Sequence, residues 1–181
     1  IYQSSYQNGN WSVPETLAED TAALPEFAAG FQNGIRHIAY AKEGKLYIDG
    51  EKVTVADGNV DRVIFAEGNF FFRMDGQLYR YDGEDSKPTG IMCSADYRIV
   101  GTDVYWTEQD NFKSELFRQS LQGTPGAVAV TDDGGYIGSF CVLPGTEQPV
   151  LVYTVQQVAD SFEEGGSPYG LTLLKCKEDL S

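Results

Sequence analysis

Short runs of Tyr, Phe, Val and Ile alternate with turn residues along most of the chain. The turns include many Gly-containing pairs such as Asp-Gly and Asn-Gly, which favour hairpins. Helical periodicity is scarce. Its one candidate is 15–29, where Pro25 interrupts the pattern and the segment reads equally well as a strand leaving a loop. The pattern therefore predicts an all-β chain.

The runs between the turn residues place the strands. The predicted strands are Ile1–Tyr6, Ile35–Ala41, Lys45–Ile48, Lys52–Val55, Val60–Ala66, Asn69–Arg73, Gln77–Tyr81, Tyr97–Val100, Asp103–Thr107, Ser114–Ser120, Val128–Thr131, Tyr136–Leu143, Val150–Val158 and Gly170–Lys175.

The strands recur in a loose repeat. Each unit has an aromatic strand, and the marker residues Tyr40, Phe71, Trp106 and Tyr153 are separated by 31, 35 and 47 residues. Each interval holds three or four strands, which is the size of a propeller blade. The sequence therefore predicts one β-propeller-like domain over 1–181, with about four blades of antiparallel strands. The predicted units are approximately 1–20 (partial), 21–57, 58–92, 93–133 and 134–181.

A blade of this size cannot bury its own faces, so neighbouring blades must cover them. Two arrangements are open. In one, the amino-terminal strands complete the last blade and close a small ring. In the other, the chain is an incomplete propeller, an interpretation favoured by its start at Ile1 inside a strand. An incomplete propeller leaves unpaired strand edges, which predicts self-association.

Two segments carry the clearest repeat motif, Gly101–Thr107 and Leu116–Thr124, with a weaker copy at Leu78–Gly83. This pattern resembles bacterial propeller repeats related to the YWTD blades of lipoprotein receptors. The resemblance covers about 35–131, and the receptor motif appears once, as Tyr105-Trp106-Thr107-Glu108. It implies a propeller fold and an extracellular or cell-surface location, but no reaction.

The first residues carry a second motif. The segment Ile1–Pro14 is similar to the Asp-box hairpin of sialidase-like propellers, with Gln7 where that box has Asp and one residue fewer before Trp11. In that family the box is structural. The resemblance therefore supports a propeller and implies no catalytic residue here.

Composition and charge limit the classes of partner that the chain could bind. The chain has 181 residues, 41% of them hydrophobic and 13% aromatic, which is ample for a core. With 27 acidic and 13 basic side chains its formal charge is −14, so nucleic acid and anionic membrane surfaces would repel it. No apolar run approaches the roughly 20 residues of a bilayer span, so no membrane insertion is expected.

The sequence contains no complete catalytic set. The single histidine, His37, lacks the partners for a zinc site, and no Gly-x-Ser-x-Gly elbow supports a triad. Cys93, Cys141 and Cys176 are too far apart for a metal knuckle. Buried free thiols are the favoured interpretation, and the alternative is one disulfide, most simply between Cys141 and Cys176. No cofactor is expected.

Carboxylates are the abundant reactive groups. A glycosidase needs two of them roughly 5 to 10 Å apart across a cleft. The candidates for such a pair are Glu67, Asp75, Asp103 and Glu108. In so acidic a chain, most carboxylates are expected only to solvate loops.

A calcium candidate spans the second predicted unit boundary, between residues 57 and 58. Asp57, Asn59 and Asp61 have the alternating oxygen ligands of a calcium loop. Arg62 stands where the loop requires Gly, and Gly68 where it requires a bidentate Glu. No metal is therefore expected.

Three aromatic residues could stack on a ligand, and core packing is their alternative role. They are Trp11, Tyr105 and Trp106. The leading hypothesis is a non-catalytic extracellular β-propeller module that binds a protein or glycan or spaces other domains. The alternatives are a carbohydrate-active propeller enzyme using an acidic pair, and a structural fragment of a larger surface protein.

Overall fold

A computed structural model of the chain describes residues 1–17, 19, 26–54, 58–94, 96–123, 126–145, 148–159 and 166–180. In these ranges all regular structure is β-strand, which confirms the all-β prediction. The predicted strand end Val55, the calcium candidate Asp57 and positions 18 and 20–25 of the helix candidate lie outside the described residues.

The strands of the described residues follow one another in chain order. They are β1 Tyr2–Gln3, β2 Tyr6–Gln7, β3 Asn10–Trp11, β4 Glu15–Thr16, β5 Phe27–Gln32, β6 Ile35–Lys42, β7 Lys45–Ile48, β8 Glu51–Lys52, β9 Val60–Ala66, β10 Asn69–Met74, β11 Gln77–Tyr81, β12 Ser86–Met92, β13 Tyr97–Val100, β14 Asp103–Asp110, β15 Lys113–Ser120, β16 Val128–Ala129, β17 Tyr136–Leu143, β18 Val150–Val158 and β19 Tyr169–Lys177.

Most strands belong to four sheets in which each strand pairs with its neighbour in the chain. The orders are β5-β6-β7-β8, β12-β11-β10-β9, β13-β14-β15-β16 and β17-β18-β19. Two short pairs, β1-β4 and β2-β3, precede them. Each of the four sheets lies within one predicted repeat unit, and no sheet of the described residues closes on itself. Whether they form one domain stays a prediction.

The chain divides into two compact units, Ile1–Pro88 and Thr89–Ser181. In unit 1, the sheet β5–β8 packs against the strands β9–β11. Leu46 and Ile48 of the first sheet meet Val63, Phe70 and Phe72 of the second. Burial of these side chains is the main stabilising contribution available to so small a pair of sheets.

The opposite face of β6 and β7 is also covered. Ile38 and Tyr40 are buried there, with Tyr47 stacked on Tyr40 at 5.4 Å between ring centroids. Ile1 and Leu17, beside the β1–β4 pair, pack on this face. The amino-terminal segment thus serves as a cover for the first four-stranded sheet.

Sequence patterning missed strand β5. Its residues Ala28 and Ala29 precede Gly30, and none of the three favours a strand. The glycine is required by packing, because a Cβ at Gly30 would lie 2.2 Å from Cγ of Phe65 on the facing sheet.

Strand β12 was missed as well. It contains Pro88 and Gly90, and it lies at the edge of its sheet, where proline is tolerated.

Unit 2 is built in the same way. Tyr105 and Leu116 of the sheet β13–β16 pack against Phe140, Leu151 and Tyr153 of the sheet β17–β19. A cation–π contact adds to this interface, with Arg98 lying 5.3 Å from the ring centroid of Phe140.

The outer face of the last sheet carries two thiols. Cys141 and Cys176 both lie opposite Val152, one on each side of β18. Two strand spacings separate them by roughly 10 Å, which exceeds the reach of a disulfide. The Cys141–Cys176 disulfide considered from sequence is therefore wrong. None of the three cysteines is disulfide-bonded, as the favoured interpretation predicted, but its expectation of burial is correct for Cys93 alone, because Cys141 and Cys176 are exposed.

Candidate binding cavity

A cavity with a volume of about 630 Å³ lies in unit 2 beside the β18–β19 hairpin. This size is within the range of roughly 300–1,000 Å³ that is typical of small-molecule sites. Its apolar walls are Val155, Val158, Pro168, Tyr169 and Leu173. Its side-chain polar groups are Asp133, Gln157, Ser167 and Lys175.

Strand register explains how these residues meet. Tyr153 pairs with Lys175, and Val155 pairs with Leu173, so all four side chains share one face of the sheet. The register then shifts between Gln156 and Val158, a bulge that bends the strand at the cavity. The backbone of a neighbouring loop approaches β18 closely at this point.

Gly135 shows how close the backbones come beside the bulge. A Cβ at this position would lie 2.5 Å from the carbonyl oxygen of Gln156. A glycine is thus needed to let the loop that carries Asp133 approach β18.

Asp133 is the charged centre of the cavity wall. Its carboxylate forms an ion pair with Lys175 and accepts a hydrogen bond of 2.7 Å from the Tyr153 hydroxyl. The aspartate side chain is 13% exposed and that of Lys175 39% exposed. Burial alone would raise the pKa of Asp133, but the bonds from Lys175 and Tyr153 outweigh it and hold the pKa below its ordinary value.

The same contacts act on Tyr153. Burial, and then the hydrogen bond to the negatively charged Asp133, raise the pKa of the Tyr153 phenol. The hydroxyl therefore stays protonated and remains a donor to the carboxylate across the neutral pH range.

Tyr169 supplies an aromatic wall, and its ring contacts two other rings. Its ring centroid lies 5.3 Å from that of Tyr136 and 6.3 Å from that of Phe112. Its backbone N–H donates to the Ser167 hydroxyl at 3.2 Å. These contacts place the Tyr169 ring at the cavity wall.

A second cavity, of about 480 Å³, lies in unit 1 around His37. Nδ1 of His37 lies 2.6 Å from Oδ2 of Asp49, whose Oδ1 accepts the N–H of Ile38 at 2.8 Å. The lining also contains Tyr81 and Asp82. Hydrogen bonds from the backbone of Asp85 and Glu84 lower the pKa of Asp82 to about 2. A hydrogen-bonded His–Asp pair orients an imidazole, but the described residues of this lining include no Ser or Cys for it to activate.

The amino-terminal hairpin β2–β3 presents Trp11, which is 70% exposed. Its ring packs beside Tyr6, with 5.1 Å between centroids. The predicted strand Ile1–Tyr6 is interrupted, because the N–H of Ser5 donates instead to the Ser12 hydroxyl at 2.9 Å. Trp11 is thus the accessible member of the three aromatic candidates.

The other two aromatic candidates are buried. Tyr105 and Trp106 have almost no exposed surface, and Nε1 of Trp106 donates to Oε1 of Glu108 at 2.8 Å. Neither ring is available to a ligand in this structure.

Two of the candidate carboxylates share a strand. Asp103 and Glu108 both belong to β14, five positions apart. That separation corresponds to roughly 17 Å along the strand and to opposite faces of the sheet. These two carboxylates therefore do not form a glycosidase-type pair.

The other two carboxylate candidates occupy hairpin turns. Glu67 and Asp75 have positive φ angles of 48° and 50°. Oδ1 of Asp75 accepts the N–H of Asn59 at 3.1 Å, so this carboxylate supports the neighbouring loop.

The described part of the calcium candidate has other partners. Oδ1 of Asp61 accepts from Nε of Arg73 at 2.7 Å, and its Oδ2 also bonds this guanidinium. Among the described residues, no three His, Cys, Asp or Glu side chains are grouped to hold a metal ion.

Sequence reasoning missed the residues of the unit 2 cavity. The turn containing Asp133 resembles an ordinary acidic loop tip, and Lys175 is 42 positions away in the chain. The available signal was the pairing of the last two strands, which fixes Tyr153 beside Lys175 once the register is known.

The chain matches no protein-family model, no curated protein and no solved structure. No helix long and apolar enough to span a bilayer occurs in the ranges that the structure describes.

Proposed function

We propose that the chain is a non-catalytic, extracellular module of the β-propeller class that binds glycans. Four successive antiparallel sheets, three of four strands and one of three, support the propeller assignment. In each unit two such sheets pack face to face through aromatic and aliphatic side chains. The resemblance to propeller repeats related to the YWTD blades of lipoprotein receptors supports the extracellular location.

The unit 2 cavity carries the glycan-binding proposal. It combines the Tyr169 ring, several aliphatic walls and a few hydrogen-bonding groups. A sugar has both apolar C–H faces and hydroxyl groups, and a cavity with both kinds of surface complements it.

The carboxylates favour binding over hydrolysis. Among the described residues that line the cavity, Asp133 is the one carboxylate, and a glycosidase mechanism needs two. The strand positions of Asp103 and Glu108 also keep those two apart.

Retention of the full chain on a panel of immobilised glycans, combined with an assay for released sugar, tests the proposal. We expect retention on at least one glycan without any product. Asp103→Asn and Glu67→Gln should leave retention unchanged. If the chain releases sugar and a single carboxylate substitution abolishes that release, the chain is an enzyme instead. If the native chain is retained on none of the glycans, the binding function is refuted.

A further inference from the structure

The charges within the unit 2 cavity indicate the class of sugar. The described residues of its lining include one carboxylate, Asp133, and one ammonium group, Lys175, and these form an ion pair. The charges of these described residues cancel, although the whole chain has a charge of −14.

Each group of the pair keeps hydrogen-bonding capacity. Lys175 has three N–H donors and Asp133 about four lone-pair sites, whereas their mutual bond and the Tyr153 hydroxyl occupy only some of them. Lys175 is also partly exposed, so a ligand can reach its ammonium group.

A hydroxyl group can donate and accept at the same time. Two neighbouring hydroxyl groups of a sugar can therefore accept from Lys175 and donate to Asp133 without breaking the ion pair. An anionic sugar would meet the field of an acidic chain and the adjacent carboxylate, and a cationic sugar would compete with Lys175 for Asp133.

We infer that the cavity binds an uncharged sugar residue, with its hydroxyl groups bridging the Asp133–Lys175 pair and its C–H face on the Tyr169 ring. This inference rests on the proposed glycan-binding function and adds the ligand class and the residues that select it.

The test uses matched sugars that differ in charge. The methyl glycosides of glucose, galactose and mannose are compared with the corresponding uronic acids and amino sugars, using amide NMR spectra of the full chain. We expect a neutral sugar to shift the amide signals of Gly134, Gly135 and Gly170 and to bind more tightly than the acid or the amine of its series.

Tyr169→Ala should weaken this binding by about tenfold, the size of change expected for one lost aromatic contact. Trp11→Ala removes an aromatic ring from unit 1 and serves as the matched control, with no expected change. Shifts that map to the β2–β3 hairpin and vanish in Trp11→Ala would overturn the cavity while leaving the glycan-binding function standing.

Charge variants separate a selecting role from a structural one. In Lys175→Met the carboxylate loses its partner, so the amino sugar should gain relative to the neutral sugar. In Asp133→Asn the uronic acid should gain. A uniform loss for all three sugars in folded variants would show a structural role only. Lys175→Arg keeps the charge and should keep the preference, which covers the case in which Lys175→Met does not fold.

The remaining outcomes distinguish the two proposals. Tighter binding of an acidic or amino sugar by the native chain overturns the ligand class alone. Retention on immobilised glycans without any shift at the cavity amides overturns this inference but leaves the binding function. Absence of both refutes the function itself.

Discussion

Asp133 and Gly30 show how single residues hold each unit together. Asp133 joins the loop after β16 to strands β18 and β19 through Tyr153 and Lys175. Gly30 contributes because it has no Cβ, which leaves room for the Phe65 ring at that position. The first residue contributes through charge and hydrogen bonding, the second through close packing.

Replacing Asp133 should change how stability depends on pH. The pKa of the folded-state carboxyl lies below its ordinary value of 3.8, so the carboxylate stabilises the fold above that value. The contribution is lost as the pH falls through the folded-state pKa. We expect Asp133→Asn to lower the free energy of unfolding at pH 7 by about 1–3 kcal/mol.

Urea titrations between pH 2 and pH 7 would measure this, and the difference between native chain and variant should shrink toward the acid end. Asp132→Asn changes the neighbouring, exposed aspartate and provides the control. A difference that stays constant down to pH 2 would contradict the assigned role of the carboxylate.

Adding a methyl group at Gly30 should destabilise unit 1. Gly30→Ala forces the Phe65 ring to move, and overpacking of this kind costs typically about 1–3 kcal/mol. Thermal unfolding followed by circular dichroism measures the effect. Gly126→Ala is the matched control, because a Cβ there meets nothing within 4 Å. Equal melting temperatures for Gly30→Ala and the native chain would disprove the packing argument.

At the scale of elements, the long edge strand β19 differs from the rest. It has nine residues, and its sheet contains three strands where the preceding three sheets contain four. Leu171 and Leu174 on this strand are exposed, the latter at 76%. Long apolar edges of this kind tend to pair with further strands.

A charge on β19 should reduce self-association. We expect the native chain to associate with rising concentration in sedimentation velocity, and Leu174→Lys to shift the distribution toward monomer. Val13→Lys makes the same change at an exposed apolar residue outside the last sheet and should have no comparable effect. A native chain that stays monomeric at the highest attainable concentration would contradict the expectation.

The elements also show what sequence patterning can and cannot find. Strands such as β10 and β14 are evident in the sequence, because each has a continuous run of apolar and aromatic residues that is buried on both faces of its sheet. β5 and β12 do not, since Gly30 fits a close ring contact and Pro88 is tolerated at a sheet edge. The cavity escaped prediction because it depends on strand register and on a bulge at Gln156, which short-range patterns do not encode.

At the scale of the whole molecule, the charge of −14 opposes contact between copies of the chain. The repulsion acts through solvent and is screened over about 8 Å at physiological ionic strength. Charge repulsion between copies therefore opposes the association that the apolar edge strand β19 favours. The apolar attraction itself does not depend on charge.

Salt should accordingly promote self-association. Raising sodium chloride from about 0.05 to 0.5 M shortens the screening length, so the weight-average mass in sedimentation should rise. Leu174→Lys should show a smaller rise. Association that weakens with salt would show that ion pairs, not the apolar strand, join the copies.

The two thiols on the outer face of the last sheet also define a distance that can be measured in solution. Cys141 and Cys176 flank Val152 across three hydrogen-bonded strands, so their separation is set by strand spacing alone. A pair of distance-sensitive probes attached to these thiols would show a longer separation when β19 separates from β18. The two native cysteines thus allow the integrity of this edge strand to be measured without introducing new attachment sites.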